Sequence, residues 1–185
     1  MSQPQKGHLL IASPKLRDPN FYRTVVLLVQ HDENGTLGLV LNRPLQISIQ
    51  AAWKELSHTP CQLEGPLHHG GPCNEGLLMA LHTDEESSDL QIAEGLHFST
   101  SRDCIERIVA CPPGNVRLFV GYAGWSPGQL EAEITEGAWL TTSATAERVF
   151  SAGQGTWEQL LRAIGKAALT QWINPKLVPD DPSVN

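Results

Sequence analysis

Two apolar runs separated by Asn34-Gly35 constrain this chain more than any other feature. Both turn residues tolerate the positive φ that a two-residue hairpin turn demands. Thr24–His31 and Thr36–Asn42 are therefore expected to pair as antiparallel strands. The first run is apolar and β-branched almost throughout, so it should be buried on both faces. Gly38 interrupts the second run and leaves room for a neighbouring side chain or backbone.

The remaining punctuation places the other elements. Leu9–Ser13 reads as a first strand that breaks at Pro14. Asp18-Pro19 looks like a helix cap followed by a first-position proline, which predicts a short helical turn. Pro44 is expected to end the second hairpin strand. Ser48 caps a helix with an apolar face of Ile49, Ala52, Trp53 and Leu56. Residues 60–76 are rich in Gly and Pro and have room for one short strand. Leu77–His82, Leu96–Ser99 and Val116–Tyr122 read as strands, and the acidic segment 83–89 as a solvated loop. Thr100–Cys111 reads as a helix stopped by Pro112-Pro113-Gly114. Ser126-Pro127-Gly128-Gln129 and Thr156-Trp157-Glu158-Gln159 are capping boxes. They open helices over Pro127–Glu136 and to about Gln171. Ser143–Ser151 is a further short helix. Hairpins interspersed with helices give an α+β fold with a mostly antiparallel or mixed sheet. One domain over residues 1–170 is expected, followed by a Pro- and Asp-rich tail over 171–185.

Composition excludes several function classes. The 185 residues carry 13 Lys and Arg against 20 Asp and Glu, a net charge of −7. Binding duplex nucleic acid needs several basic side chains on one face, and here the densest group is Lys15, Arg17 and Arg23. Nucleic acid is therefore a disfavoured partner. No apolar run approaches the roughly 20 residues that span a bilayer, so no membrane partner is expected. The four cysteines form no Cys-x-x-Cys pair and are read as reduced thiols of a cytoplasmic protein.

No phosphate loop, dinucleotide fingerprint, zinc-protease helix or nucleophile elbow is present. Three weaker constellations remain. His68-His69-Gly70-Gly71-Pro72-Cys73, with His82 beyond, contains zinc-ligating side chains, but its spacing matches no paired-ligand pattern. Neither a metal nor another cofactor is therefore expected. A nucleophile set could be drawn from Ser13, Ser99 or Ser101 with His31 and Asp32 or Asp103, although none of the serines sits on a recognisable elbow. The third is Gly121–Glu131, a strand, a small-residue turn and a helix start. A helix start can hold an anion, but Pro127 lacks the N–H that such a site would use.

Longer motifs carry a resemblance. They are Leu10–Pro14, Asp18-Pro19, Arg23–Val26, His31, Leu41-Asn42-Arg43-Pro44 and Gly70-Gly71-Pro72. Arg117, Gly121–Trp125, Pro127–Glu131, Glu133 and Gly137–Trp139 follow in the same order. In these residues the chain resembles the bacterial YqgE/AlgH family over about residues 7–165. Cys73 departs from that pattern, and His68 and His69 do not belong to it.

The resemblance implies a single α+β domain whose bifurcated sheet curls toward a barrel with helices around it. It transfers no catalytic residue and no cofactor. The family's usual label is transcriptional regulator, yet this sequence shows no helix-turn-helix and no basic stripe. The expectation is therefore a non-enzymatic cytoplasmic binding or regulatory module that recognises a protein or small molecule. Its candidate site residues are Asp18, His31, Asn42, Arg43, Arg102, Asp103, Tyr122 and Trp125. The alternatives are a nucleic-acid-binding regulator and a small hydrolase that uses His31.

Overall fold

A computed structural model describes residues 4–172, with side chains as far as residue 167. The hairpin forms as its turn residues demand. β1 (His8–Ala12) pairs with β2 (Val25–Asp32), and β2 pairs with β3 (Gly35–Val40), all antiparallel. Thr24–Val29 is buried to within 1% exposure, as an uninterrupted apolar run requires. A methyl group at Gly38 would lie 2.6 Å from Val26 Cγ1 and 3.2 Å from the Trp125 ring, so the glycine does make room for a neighbour.

One expectation holds and one fails on the flanks of the hairpin. The expected short helical turn forms at Asp18–Tyr22, where the Asp18 carbonyl accepts the Phe21 and Tyr22 N–H groups, and it extends no further. Asp18 Oδ1 accepts the Asn20 N–H, and Arg23 then turns the chain at φ 54°. Pro44 does not end a strand but starts one, β4 (Pro44–Ser48), in a first position that needs no N–H. Ser48 then caps α1 (Ile49–Leu56), and its hydroxyl accepts the Ala51 N–H.

The other strands are β5 (Pro66–His69), β6 (Cys73–His82), β7 (Leu90–Ala93) and β8 (Leu96–Ser99). They are completed by β9 (Val116–Trp125) and β10 (Trp139–Ser143). The sheet runs β10-β1-β2-β3-β9-β6-β8-β7, and β4-β5 branches from it at β9. The branch is a fork. One edge of β9 pairs with β3 through Ala123–Trp125 and with β5 in parallel at Phe119 and Val120. Gly70 sits in the fork, where its N–H donates to the Val120 carbonyl and its carbonyl accepts the Val40 N–H.

The sheet does not close, but it curls. Lys6 Nζ, just before β1, donates to the Gln91 carbonyl of β7 at 3.0 Å, although β1 and β7 stand far apart in the strand order. Alternating residues of β9 serve two cores. Phe119, Ala123 and Trp125 face the core enclosed by the curl. Leu118, with Val116 and Val120, faces a second core capped by α1 and by α2 (Arg102–Ala110).

α3 (Gln129–Thr135) begins later than its capping box suggests, at Gly128 with φ 77°. Half of the box forms, since Gln129 Oε1 accepts the Ser126 N–H, but the Ser126 hydroxyl makes no cap. α4 (Ala146–Phe150) is capped by Thr145, and α5 (Thr156–Trp172) closes the described chain. The expected tail lies outside the described residues from residue 173 onward.

Candidate functional site

The eight sequence candidates fall into three places. The first is the irregular segment 14–24. Asn42 Oδ1 accepts the Val25 N–H at 2.9 Å, and its Nδ2 donates to the Arg23 carbonyl at 2.8 Å. Arg43 Nη2 donates to the carbonyls of Pro19 at 3.1 Å and Tyr22 at 3.4 Å. Burial holds the Arg43 guanidinium below the usual arginine range, and the charge of Asp18 opposes that shift. Asn42, Arg43 and Asp18 thus fasten the segment and set Phe21 in place. Phe21 stacks on Trp125 with centroids 5.8 Å apart and meets Trp139 edge-on at 5.5 Å.

The second place is α2. Arg102 forms an exposed ion pair with Glu106 at 2.8 Å, and Asp103 is exposed beside it. This helix packs on the second core, whereas Trp125 belongs to the first. The structure therefore does not bring Arg102 and Asp103 to the other candidates.

The third place is a groove of about 430 Å³ between the β2–β3 turn and the β9–α3 junction. Gln30, Asp32, Asn34, Thr36 and Leu37 form one wall, and Cys73, Tyr122, Gly124, Trp125, Ser126 and Pro127 the other. A register shift between Leu28 and Gln30 breaks the β2–β3 ladder next to this wall, as β-bulges do where a strand re-aims its side chains. The Tyr122 hydroxyl has no hydrogen-bond partner among the described residues. The amide of Gln30 and the Asn34 N–H hold the Asp32 carboxyl below the usual carboxylate range.

His31 stands behind the same wall. Its Nδ1 lies 2.7 Å from Thr36 Oγ1 and its Nε2 lies 3.4 Å from Glu131 Oε1. Neither Thr36 nor Glu131 was a candidate partner in the sequence. The pairing with Thr36 follows from strand register, in which His31 sits opposite Thr36. None of the three candidate serines reaches His31. Ser99 is fully buried and bonded to His82 Nε2 at 2.9 Å, and Ser13 Oγ accepts the Lys15 N–H. Ser101 donates to Asp89.

Trp125 has a half-buried anchor that sequence reasoning also missed. Its Nε1 and the Nε1 of Trp139 both donate to Glu133 Oε2, at 3.0 Å and 2.7 Å. Gln129 Nε2 supplies the other oxygen at 2.9 Å. The groove's aromatic back wall is thereby fixed by hydrogen bonds to an ionised group, which are among the stronger kind.

The histidine-rich run disperses. His68 is buried against Phe119 and His69 bonds Glu75, while Cys73 faces the groove. Among the described residues no cluster of His, Cys, Asp or Glu could hold a metal ion. The acidic segment differs from the solvated loop expected of it. Asp89 accepts the N–H groups of Thr100 and Ser101 and so caps α2 from outside the helix. Among the exposed basic side chains Lys15, Arg17 and Arg23, Arg23 also meets Glu158 at 3.8 Å. No helix among the described residues is long and apolar enough to cross a membrane.

Comparison with known proteins agrees with this architecture. A family model described as AlgH-like matches residues 9–168. A UPF0301 protein of Myxococcus xanthus is 40% identical over 161 residues, covering 85% of this chain and 89% of that one. A UPF0301 protein of Chlorobaculum tepidum is 36% identical over 165 residues, covering 86% of each. The solution structure of the AlgH protein from Pseudomonas aeruginosa superposes with a TM-score of 0.71 at 34% identity over 98% of both chains. A crystal structure of a Corynebacterium diphtheriae protein gives a TM-score of 0.73 at 26% identity over 88% of both. Sequence motifs, forked sheet and relatives agree, and the chain belongs to the AlgH-like family.

Proposed function

We propose that this protein is a non-catalytic binding module whose ligand seat is the groove between the β2–β3 turn and the β9–α3 junction. The observation that carries this reading is convergence. The groove is where Tyr122 and Trp125 meet Thr36, the partner of His31. Ligand pockets typically measure roughly 300–1,000 Å³ and combine apolar walls with a few polar groups, and this groove has both properties. The partner is a small molecule or a segment of another protein. Four unpaired thiols suit the reducing cytoplasm as its setting.

The test compares wild type with Tyr122→Ala after gentle purification from bacterial cytosol. Native mass spectrometry of each would read retained small molecules and proteins. Expected is a bound species that wild type keeps and Tyr122→Ala loses by about tenfold, with both proteins equally stable. Identical bound species on the two proteins would overturn the assignment.

The chain Thr36–His31–Glu131 supports a second reading, hydrolysis using His31. A hydroxyl hydrogen-bonded to an imidazole, with a carboxylate 3.4 Å from the far ring nitrogen, supplies the parts of an activated nucleophile. That reading requires turnover of simple esters or phosphate esters, lost in both His31→Ala and Thr36→Val. Silence across such a panel removes it.

A further inference from the structure

Beneath the acidic segment 83–89 lies a buried polar cluster that neither reading of the groove uses. His82 of β6 is fully buried and His97 of β8 is 4% exposed, and their rings stack with centroids 6.0 Å apart. We propose that His82 is a proton-sensitive latch, and that its protonation releases segment 83–89 together with the carboxylate that caps α2.

The hydrogen bonds settle which form of His82 the fold accepts. Ser99 Oγ spends its one proton on the Ser87 carbonyl at 2.6 Å. Toward Ser99, His82 Nε2 must therefore be the donor, at 2.9 Å. Its Nδ1 accepts the Asp84 N–H at 3.3 Å. Neutral imidazole with the proton on Nε2 meets both demands, because one ring nitrogen donates while the other accepts. Imidazolium cannot, since Nδ1–H would then point at another N–H.

The charges around the ring act in both directions. His97 faces it from β8, and Asp84 and Asp89 face it from the segment itself. β9 presents Val116 opposite His82 in the register. α2 sends Cys104 to the Asp89 carboxylate and Arg107 to the Glu86 carbonyl. Burial first, and then His97, keep the ring less basic than free histidine, against the pull of the two carboxylates. The neutral form is therefore favoured near neutrality, and acidification strains the latch.

The consequence reaches α2 through Asp89. Its N–H donates to Ser99 Oγ at 3.2 Å, so the residue that caps the helix hangs from the same hydroxyl as His82. Its carboxylate accepts Thr100 N–H at 2.7 Å, Ser101 N–H at 2.8 Å and Ser101 Oγ–H at 2.9 Å. α2 has no side-chain cap of its own at Ser101. Loss of the segment would expose donors that a helix start must otherwise satisfy.

The test is amide hydrogen exchange at about pH 7.5 and about pH 5, with rates converted to protection factors and Leu27 in β2 as the internal reference. Expected in wild type is a fall in protection at Asp84, Thr100 and Ser101 about tenfold or more beyond any fall at Leu27, which reports the loss of global stability. His82→Gln, which keeps one donor and one acceptor but cannot be protonated, should show no fall beyond that at Leu27. Protection that is flat in wild type would overturn the latch, as would a fall no larger than that at Leu27 or an unchanged excess fall in His82→Gln. The imidazole nitrogen signals of wild type give a check that needs no variant. At about pH 7.5 they should show His82 protonated on Nε2 alone. Protonation on Nδ1 would overturn the account.

Discussion

Arg117 Nη2 donates to the backbone carbonyl of Leu41 at 2.6 Å, joining residues on β9 and just past the end of β3 where these strands diverge at the fork. Its Nη1 donates to the Val149 carbonyl of α4 at 2.7 Å. No carboxylate forms an ion pair with this guanidinium among the described residues. Burial lowers its pKa to about 10, still charged at neutral pH. A buried cation is tolerated here because it satisfies two carbonyls that would otherwise be stranded between sheet and helix.

Arg117→Met should therefore destabilise the protein. Stranding two buried acceptors costs about 1–3 kcal/mol each, while removing a desolvated charge recovers part of that. The net expectation is a loss of about 2–4 kcal/mol in urea unfolding, with a smaller loss in Arg117→Lys. An Arg117→Met protein as stable as wild type would show that the fork does not need this tie.

His68 makes stability depend on pH. It lies against Phe119 and its Nδ1 is buried without a partner. Burial, followed by the charge of Arg117, lowers its pKa from 6.5 to about 4. Between those values the unfolded chain binds a proton that the folded chain refuses, so stability falls as pH drops through that window and levels off below it. The expected loss is roughly 3 kcal/mol, at about 1.4 kcal/mol per pKa unit. His68→Phe should flatten most of the slope in urea unfolding followed from neutral to acid pH. A slope identical to wild type would remove His68 as its source.

Glu133 carries the indole N–H groups of Trp125 and Trp139 on one oxygen. Glu133→Ala should leave both donors unpaired and cost about 2–4 kcal/mol. Near-ultraviolet circular dichroism should also change, since the rings lose their fixed setting. An unaltered spectrum would mean that packing against Phe21 is enough to hold them.

Gly71 lies with its backbone directly against Tyr122, and a methyl group there would collide with the Tyr122 carbonyl and the Ala123 nitrogen. Gly95 has positive φ as well, but open space around it. Gly71→Ala should abolish cooperative thermal unfolding, whereas Gly95→Ala should cost only about 1 kcal/mol of backbone strain. Equal effects in the two variants would show that backbone proximity at the Gly70-Gly71 crossing does not matter.

Local chemistry made part of this fold legible. The Asn34-Gly35 hairpin, the buried Thr24–Val29 run and the Ser48 cap each depend on residues close in sequence. β4 and β10 were not legible because each is short and gains its hydrogen bonds from a distant partner, as when Trp139 pairs with Ala12. β7 is instead a four-residue strand that returns at once as β8 through Glu94-Gly95, a local turn signal left unread. The candidate site divides in the same way. Tyr122 and Trp125 lie on a strand that leads into the groove. Asn42 and Arg43 look like site residues in the motif, yet their polar atoms are spent on backbone groups about twenty residues away, as between Arg43 and Pro19. Glu133 gave one local signal, its place four residues after Gln129 on α3 between two tryptophans. Thr36 gave a signal only through strand register.

The groove itself is tested most directly by amide chemical shifts of the full chain during titration with a library of small polar and aromatic fragments. The account predicts that fragments which bind will shift Thr36, Tyr122 and Gly124 and compete with one another for that seat. Fragments that cluster instead at the α1–α2 surface around Trp53 and Arg102, leaving Tyr122 unmoved, would contradict it.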